Sequence, residues 1–397
     1  MKRSKLNNKN FINIIFINIS CLTALSMVHP VTPKLINTVR LPTFYFGLLY
    51  GCLNISTFIA SPTFGVICGL IGRKIPMMIG LLGYALGQII FGFFPNEISV
   101  LVARIISGTF ISAYQVASIA YLSSITPPHK KLKRFAFLNA SGSLGITIGS
   151  ILGGYLGRND YRITFLVQII LLIACILFIK IFFEDSSQRD KINKFSFKIF
   201  SIKDLNKVTK SNKFAILILI STMITFLGIQ SYTSTISYYV EKILHLPTTI
   251  NGLILGSTGF FTIITNLLII PIAIKKLSSK ILYLITTFTA GLSILISMNS
   301  KNPISSTVFL LIFIIVQTLI TPIMQSMVIE KSQNNQMELL GLQNGFKAIG
   351  SFFGAILSGL IFDIWFKLPF IICGTSLIIC FFAILISEKN KSYNEQL

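Results

Sequence analysis

Long apolar runs alternate with short polar segments along the whole chain. Each of these runs is long enough to cross a hydrocarbon core of about 30 Å as a helix. The pattern therefore predicts an all-α membrane protein with twelve transmembrane helices. The predicted spans lie at residues 11–33, 44–66, 76–95, 98–126, 136–157, 163–182, 214–240, 250–273, 281–299, 306–329, 339–361 and 369–387.

One polar segment is much longer than the others and separates the sixth span from the seventh. It covers residues 184–213 and is rich in lysine, with phenylalanine and isoleucine between the lysines. We interpret it as a cytoplasmic linker that contains an amphipathic helix on the membrane surface. It divides the chain into an N-terminal six-helix bundle at 1–183 and a C-terminal six-helix bundle at 214–397.

Glycines of the fifth span recur in the eleventh span. Gly145 and Gly149 correspond to Gly350 and Gly354, with the same separation of 205 residues in both pairs. Internal repeats of this kind are typical of secondary transporters. Glycines four residues apart also let two helices approach closely. The repeat predicts two pseudo-symmetric bundles, and ordinary helix packing is the alternative explanation of these glycines.

Composition and charge agree with a membrane protein and exclude a soluble domain. The chain is 53% hydrophobic and only 12% charged, against about 25% charged in soluble domains. Of the 34 Lys and Arg residues, 25 fall in the segments predicted to be cytoplasmic and 7 in the outer segments. By the positive-inside rule both termini are cytoplasmic, and the chain is a multi-pass protein of the cell's inner or plasma membrane. The net charge of +22 thus reflects topology, and no nucleic-acid partner is expected.

The loop after the second span carries a recognisable motif. Glycines at both ends permit a tight turn, and basic residues hold it at the cytoplasmic surface. The stretch from Ser61 to Lys74 resembles the G-x-L-A-D-R-x-G-R-K signature of the major facilitator superfamily. Gly69 stands where that family has Asp. The matching residues are Gly65, Gly72, Arg73 and Lys74.

The fourth span contains an arginine, which costs roughly 3 kcal/mol or more inside a membrane and is by default functional. Arg104, Gly108, Ser112 and Gln115 share one helix face, which we expect to line a polar cavity. The alternative is that Arg104 extends to the outer headgroups. The stretch is similar to the R-x-x-x-G element of drug/proton antiporters.

The fifth span is similar to the antiporter motif G-x-x-x-G-P-x-x-G-G that exporters of the superfamily carry. Gly145, Gly149, Gly153 and Gly154 match it, and Ser150 replaces its proline. Nearly the whole chain resembles multidrug efflux pumps of the NorA and Bmr type. This resemblance implies a secondary transporter that exports small amphipathic compounds by alternating access, with a substrate site near the midplane between the bundles.

Acidic residues are absent from the middle of every predicted span. The resembling pumps place acids in the seventh and tenth helices, where this chain has Tyr232 and Thr318. The candidate proton site is therefore His29, late in the first span, although such a histidine is more often simply interfacial. The alternative function is transport of an organic anion or metabolite without proton coupling.

Positive and amide side chains occupy the spans instead. Lys347 lies about eight residues into the eleventh span, and shares a face with Gln343. It either faces the cavity or extends to the cytoplasmic boundary. The predicted cavity and gating residues are Arg104, Ser112, Gln115, Gln230, Tyr232, Gln317, Thr318, Gln343 and Lys347.

Other classes of function find little support in the sequence. The six cysteines lie in or beside apolar spans without a CxxC pair, and the three histidines are far apart in the sequence, so neither a metal site nor a cofactor is expected. No paired carboxylates or histidines suggest an enzyme. We expect a monomer whose partners are a small-molecule substrate, the lipid bilayer and, as a candidate coupling ion, protons.

Overall fold

The computed structural model describes residues 2–127, 130–183, 213–331 and 336–394, and all regular structure in these ranges is helical. The predicted linker lies outside the described residues except for Lys213. The helices are α1 (Lys2–Ser26), α2 (Thr32–Val39), α3 (Tyr45–Ile71), α4 (Lys74–Phe93), α5 (Glu97–Ile125), α6 (Lys131–Leu156), α7 (Tyr161–Phe182), α8 (Lys213–Tyr238), α9 (Thr248–Ile264), α10 (Ile270–Lys276), α11 (Ser279–Asn299), α12 (Pro303–Lys331), α13 (Gln336–Phe362) and α14 (Leu368–Asn394).

Twelve helical segments of the described chain are long and apolar enough to span a membrane. The first, Asn8–Val39, comprises α1, a 3-10 turn at His29–Val31 and α2. The turn contains Pro30, which lacks the N–H that a continuous α-helix needs. The eighth, Thr248–Lys276, comprises α9, a π-helical turn and α10. The prediction of an all-α protein with twelve transmembrane helices is confirmed.

The described residues form two compact units. The described residues of the first unit lie within Met1–Pro42, Cys52–Ile199 and Ser237–Phe260. Its hydrophobic core is built from α1, α4, α5 and α7, around the fully buried rings of Tyr114 and Tyr121.

The described residues of the second unit lie within Thr43–Gly51, Phe200–Ile236 and Phe261–Leu397. The hydroxyl groups of Thr225 and Tyr283 lie 3.0 Å apart and join α8 to α11 in its interior. The beginning of α3 thus belongs to the second unit and the beginning of α9 to the first. The predicted domain boundary within 184–213 stays a prediction.

Large apolar side chains also cover the outside of the helices. Ile98 is 75% exposed and Ile304 is 74% exposed. A soluble protein rarely exposes apolar surface on this scale, whereas lipid chains solvate it without cost. The outward side chains therefore agree with helices that face a bilayer.

Candidate functional site

The turn between α3 and α4 carries the loop motif. Gly72 adopts φ 89°, a left-handed conformation that favours glycine because it has no Cβ. Arg73 follows as the N-cap residue of α4. Lys74 donates a hydrogen bond of 2.8 Å to the carbonyl of Lys180 in the last turn of α7, where a cation complements the helix dipole. Gly65 has open space around it, so close packing does not require a glycine there.

The glycines of α6 lie directly against the backbone of the first span. A Cβ added to Gly149 would lie 2.2 Å from the carbonyl oxygen of Thr23, and one on Gly153 would lie 2.1 Å from that of Met27. A Cβ added to Gly145, one turn earlier in α6, would likewise come too close to a backbone carbonyl oxygen of α1. Backbone atoms cannot rotate away, so these three positions accept only glycine unless the two helices separate.

The last glycine of the motif faces a different helix of the same unit. A Cβ on Gly154 would lie 2.6 Å from the carbonyl oxygen of Thr248 and 2.9 Å from the Cα of Gly252, in α9. Conversely, a Cβ on Gly252 would lie 2.6 Å from the carbonyl oxygen of Ser150, the residue that replaces the proline of the motif. The fifth-span motif therefore makes backbone contact on two sides of α6.

The eleventh span repeats the first of these contacts in the second unit. A Cβ on Gly350 would lie 2.1 Å from the carbonyl oxygen of Met223, and one on Gly354 would lie 2.2 Å from that of Leu227. Helices α13 and α8 thus approach each other as α6 and α1 do. The repeat seen in the sequence is a repeat of packing.

The second contact is repeated as well, through Gly47, a glycine that the sequence analysis missed. A Cβ on Gly47 would lie 2.0 Å from the carbonyl oxygen of Ala355, and Gly47 and Gly359 contact each other as Gly252 and Gly154 do. Gly47 precedes Gly252 by 205 residues, the offset of the main repeat. A sequence signal existed, because both glycines begin the pattern Gly-Leu-x-x-Gly.

Arg104 is buried inside the first unit, with 3% of its surface exposed. Its guanidinium carbon lies 4.0 Å from the centroid of the Phe91 ring, and its Nη2 lies 3.4 Å from Oγ1 of Thr32 at the start of α2. His29, in the adjacent 3-10 turn, interacts electrostatically with Arg104. Arg104 therefore points inward, toward aromatic and polar neighbours, and joins α5 to α4 and α2.

The remaining residues of the Arg104 face have three different environments. Gly108 packs on α3, where an added Cβ would lie 2.4 Å from the carbonyl oxygen of Leu53. Ser112 is fully buried and donates to the carbonyl of Thr109 in its own helix. Gln115 is exposed. Gln115 is therefore the one residue of this face with an accessible polar side chain. That the four residues of the face line a cavity stays a prediction.

The second unit places a lysine against an aromatic ring. The ammonium of Lys347 lies 4.5 Å from the ring centroid of Phe226 in α8. Within the described part of the chain it makes no hydrogen bond or ion pair. Gln343, one turn earlier on α13, is 4% exposed, and its amide group also has no hydrogen-bond partner there. The sequence analysis missed Phe226, since nothing in the pattern of α8 separates it from other buried aromatic residues.

Tyr232 and Thr318, which stand where the resembling pumps have acids, both belong to the second unit. The Tyr232 ring lies 4.7 Å from that of Phe313, and its buried hydroxyl has no hydrogen-bond partner among the described residues. Thr318 pairs its hydroxyl with that of Thr265, at 3.0 Å, in the π-helical turn after α9. The partly buried amides of Gln230 and Gln317 make no hydrogen bond to described residues.

No group of three His, Cys, Asp or Glu side chains in the described ranges could hold a metal ion. The polar side chains of the candidate cavity residues are instead hydroxyls, amides and two cations. Such groups bind organic molecules through hydrogen bonds and charge, without a covalent step.

Comparison with known proteins gives relatives along the whole chain. Residues 14–336 match the family model of the Major Facilitator Superfamily, and residues 218–396 match it again. Multidrug resistance protein 2 of Bacillus subtilis (strain 168) is 23% identical, over 99% of this chain and 98% of its own length. Quinolone resistance protein NorA of Staphylococcus aureus (strain MSSA476) is 22% identical, over 92% of this chain and 93% of its own.

Solved structures of transporters share the fold. The nucleoside transporter NupG superposes with a TM-score of 0.76 at 13% identity, covering 95% of this chain and 98% of its own. The human organic anion transporter MFSD10 (TETRAN) superposes with a TM-score of 0.69 at 13% identity, covering 95% and 99%. The twelve helices, the repeated glycine contacts and the family match lead to one conclusion: the chain belongs to the Major Facilitator Superfamily.

Proposed function

We propose that this transporter exports small amphipathic compounds across the cell membrane by alternating access, as a multidrug-type pump. The observation that carries the proposal is the exporter motif, whose glycines make backbone contact with the first span and with α9. The multidrug resistance protein of Bacillus subtilis and the quinolone resistance protein of Staphylococcus aureus support it. Substrate moves without covalent change, so no catalytic residue is proposed.

A second candidate function is the transport of an organic anion or metabolite. It is favoured by the two cations within the spans, Arg104 and Lys347, neither of which lies at a span end. Like charges repel strongly where the dielectric constant is low. Each of these cations would therefore favour neutral or anionic compounds over cationic ones in the unit that holds it.

Protons are the proposed coupling ion, and His29 is the proposed proton site. It lies in the 3-10 turn that interrupts the first span, and its side chain interacts electrostatically with Arg104. An imidazole can bind and release a proton, and it can take the part that a carboxylate has in other proton-coupled carriers.

The proposed setting is the plasma or inner membrane, with both termini in the cytoplasm and the chain acting as a monomer. The excess of Lys and Arg in the segments assigned to the cytoplasm supports this orientation. The outward apolar side chains of the described helices support lipid around each of the two units.

Uptake by vesicles containing the purified chain, across an imposed pH gradient, tests the proposal. A neutral amphipathic dye and the lipophilic cation tetraphenylphosphonium would be compared. We expect gradient-driven uptake of the dye, little uptake of the cation, and loss of gradient dependence in His29→Ala. Gradient-driven uptake of the cation by both the wild type and His29→Ala would refute both the charge preference and the role of His29.

A further inference from the structure

We propose that the second unit contains a subsite for the carboxylate of an aromatic acid, formed by Lys347, Gln343 and Phe226. The inference rests on the proposed transport function and specifies part of its substrate. Each of the three residues supplies a different interaction. Lys347 supplies charge, Gln343 a hydrogen-bond donor, and Phe226 an aromatic surface.

The ammonium of Lys347 is directed into the unit and away from the membrane surface. Lysines near a span end usually extend toward the headgroups. Phe226, however, lies ten residues into the span Ile216–Ile243, a rise of roughly 15 Å from its beginning. The 4.5 Å contact between the ammonium and the Phe226 ring therefore holds the charge well inside the span.

The two polar groups of this site are left with unused hydrogen-bonding capacity. The ammonium of Lys347 carries three donors and the amide of Gln343 carries two. Neither group has a hydrogen-bond partner among the residues that the structure describes. The Gln343 side chain is buried, whereas that of Lys347 is partly exposed and so within reach of a ligand. Buried polar groups in proteins are nearly always paired. A bound anion would satisfy both.

The cation–π contact stabilises the charge only in part. An ammonium over an aromatic ring gains about 0.5–2 kcal/mol, less than the cost of removing it from water. Among the acidic side chains of this unit that the structure describes, Asp363 is exposed beyond the far end of α13, sixteen residues from Lys347 or roughly 24 Å along the helix. A carboxylate on the ligand would complete the neutralisation.

The geometry favours an aromatic acid over an inorganic anion. Phosphate and sulfate sites use several cations or a helix N-terminus. Here a single cation and an amide lie one turn apart on the same helix face, where each would meet one oxygen of a carboxylate. The neighbouring surface is the Phe226 ring, which would contact the apolar body of the ligand edge-on or in an offset stack.

Equilibrium dialysis of the full-length chain in lipid nanodiscs tests the subsite with three probes of one shape: naphthalene-2-carboxylate, its neutral amide and (2-naphthyl)methylammonium. We expect the carboxylate to bind best. Lys347→Gln should weaken carboxylate binding about tenfold to a hundredfold, as loss of a charge-assisted hydrogen bond does. It should change amide binding by no more than about twofold.

Two control variants separate the subsite from general charge effects. Lys347→Arg keeps the charge and should retain the preference for the carboxylate. Lys275→Gln removes an exposed lysine of the same unit and should change nothing. Equal binding of carboxylate and amide by the wild type, or an unchanged preference in Lys347→Gln, would overturn the subsite.

Transport assays distinguish failure of the subsite from failure of the proposed function. If vesicles still take up the neutral dye while Lys347→Gln has no effect on carboxylate binding, the subsite is wrong and the pump stands. If carboxylate binding depends on Lys347 but no compound is transported, the subsite stands and the proposed function is wrong. Thermal unfolding of each variant checks that it is folded.

Discussion

Replacing Gly149 by alanine adds one methyl group at the point where α6 meets α1. Its Cβ would lie 2.2 Å from the carbonyl oxygen of Thr23. Carbon and carbonyl oxygen atoms in close contact normally stay about 3.3 Å apart or more. The two helices must therefore separate by about 1 Å, because a backbone atom cannot move away by changing a rotamer.

The expected cost follows from this overlap. Added atoms in a packed interior usually cost about 1–3 kcal/mol. Since the atom contacted is backbone and the same helix is also in contact with α9 through Gly154, we expect a value near the upper end, about 3 kcal/mol. Gly354→Ala should cost about as much, because its Cβ would also lie 2.2 Å from a carbonyl oxygen, that of Leu227.

Gly142 offers a matched control on the same helix. A Cβ there would meet the Nδ2 of Asn18 at 3.4 Å, an ordinary van der Waals distance. Gly142→Ala should be neutral or stabilising by up to about 1 kcal/mol, through helix propensity.

The measurements are unfolding of the purified chain in detergent and the initial transport rate in vesicles. We expect Gly149→Ala and Gly354→Ala to lower both, and Gly149→Leu and Gly154→Leu to abolish transport while the protein still inserts into the membrane. If Gly149→Ala matched Gly142→Ala in stability and transport, the close contact of α6 with α1 would not be what requires glycine.

Two other predictions concern the buried arginine and the topology. Arg104→Lys keeps the charge but loses the planar group that lies over Phe91. Transport should therefore fall at least about tenfold, while insertion into the membrane stays normal. Wild-type transport in this variant would contradict a role for the guanidinium. Tags at residue 200 and at the C-terminus should be inaccessible from outside intact cells, whereas a tag near Asn159 should be labelled. Labelling of the first tag from outside would reverse the assigned orientation.

The sequence by itself determined the number and type of the elements. Hydropathy is a local property, so twelve apolar runs predict twelve spans without knowledge of how they pack. The glycine repeat was also visible, because Gly149 and Gly354 are each preceded by a glycine four residues earlier and followed by x-Ile-Leu-x-Gly. Hydropathy also placed both cations, Arg104 and Lys347, inside predicted spans.

The tertiary structure decided which groups meet. Arg104, Gly108, Ser112 and Gln115 share a helix face in the sequence, yet a neighbouring helix covers Gly108 and leaves Gln115 exposed. The partner of Lys347 is Phe226, more than a hundred residues earlier in the chain. Periodicity indicates which residues share a helix face, but not which neighbouring helix packs against that face. The rotation of each helix and its choice of neighbour depend on side chains distant in sequence.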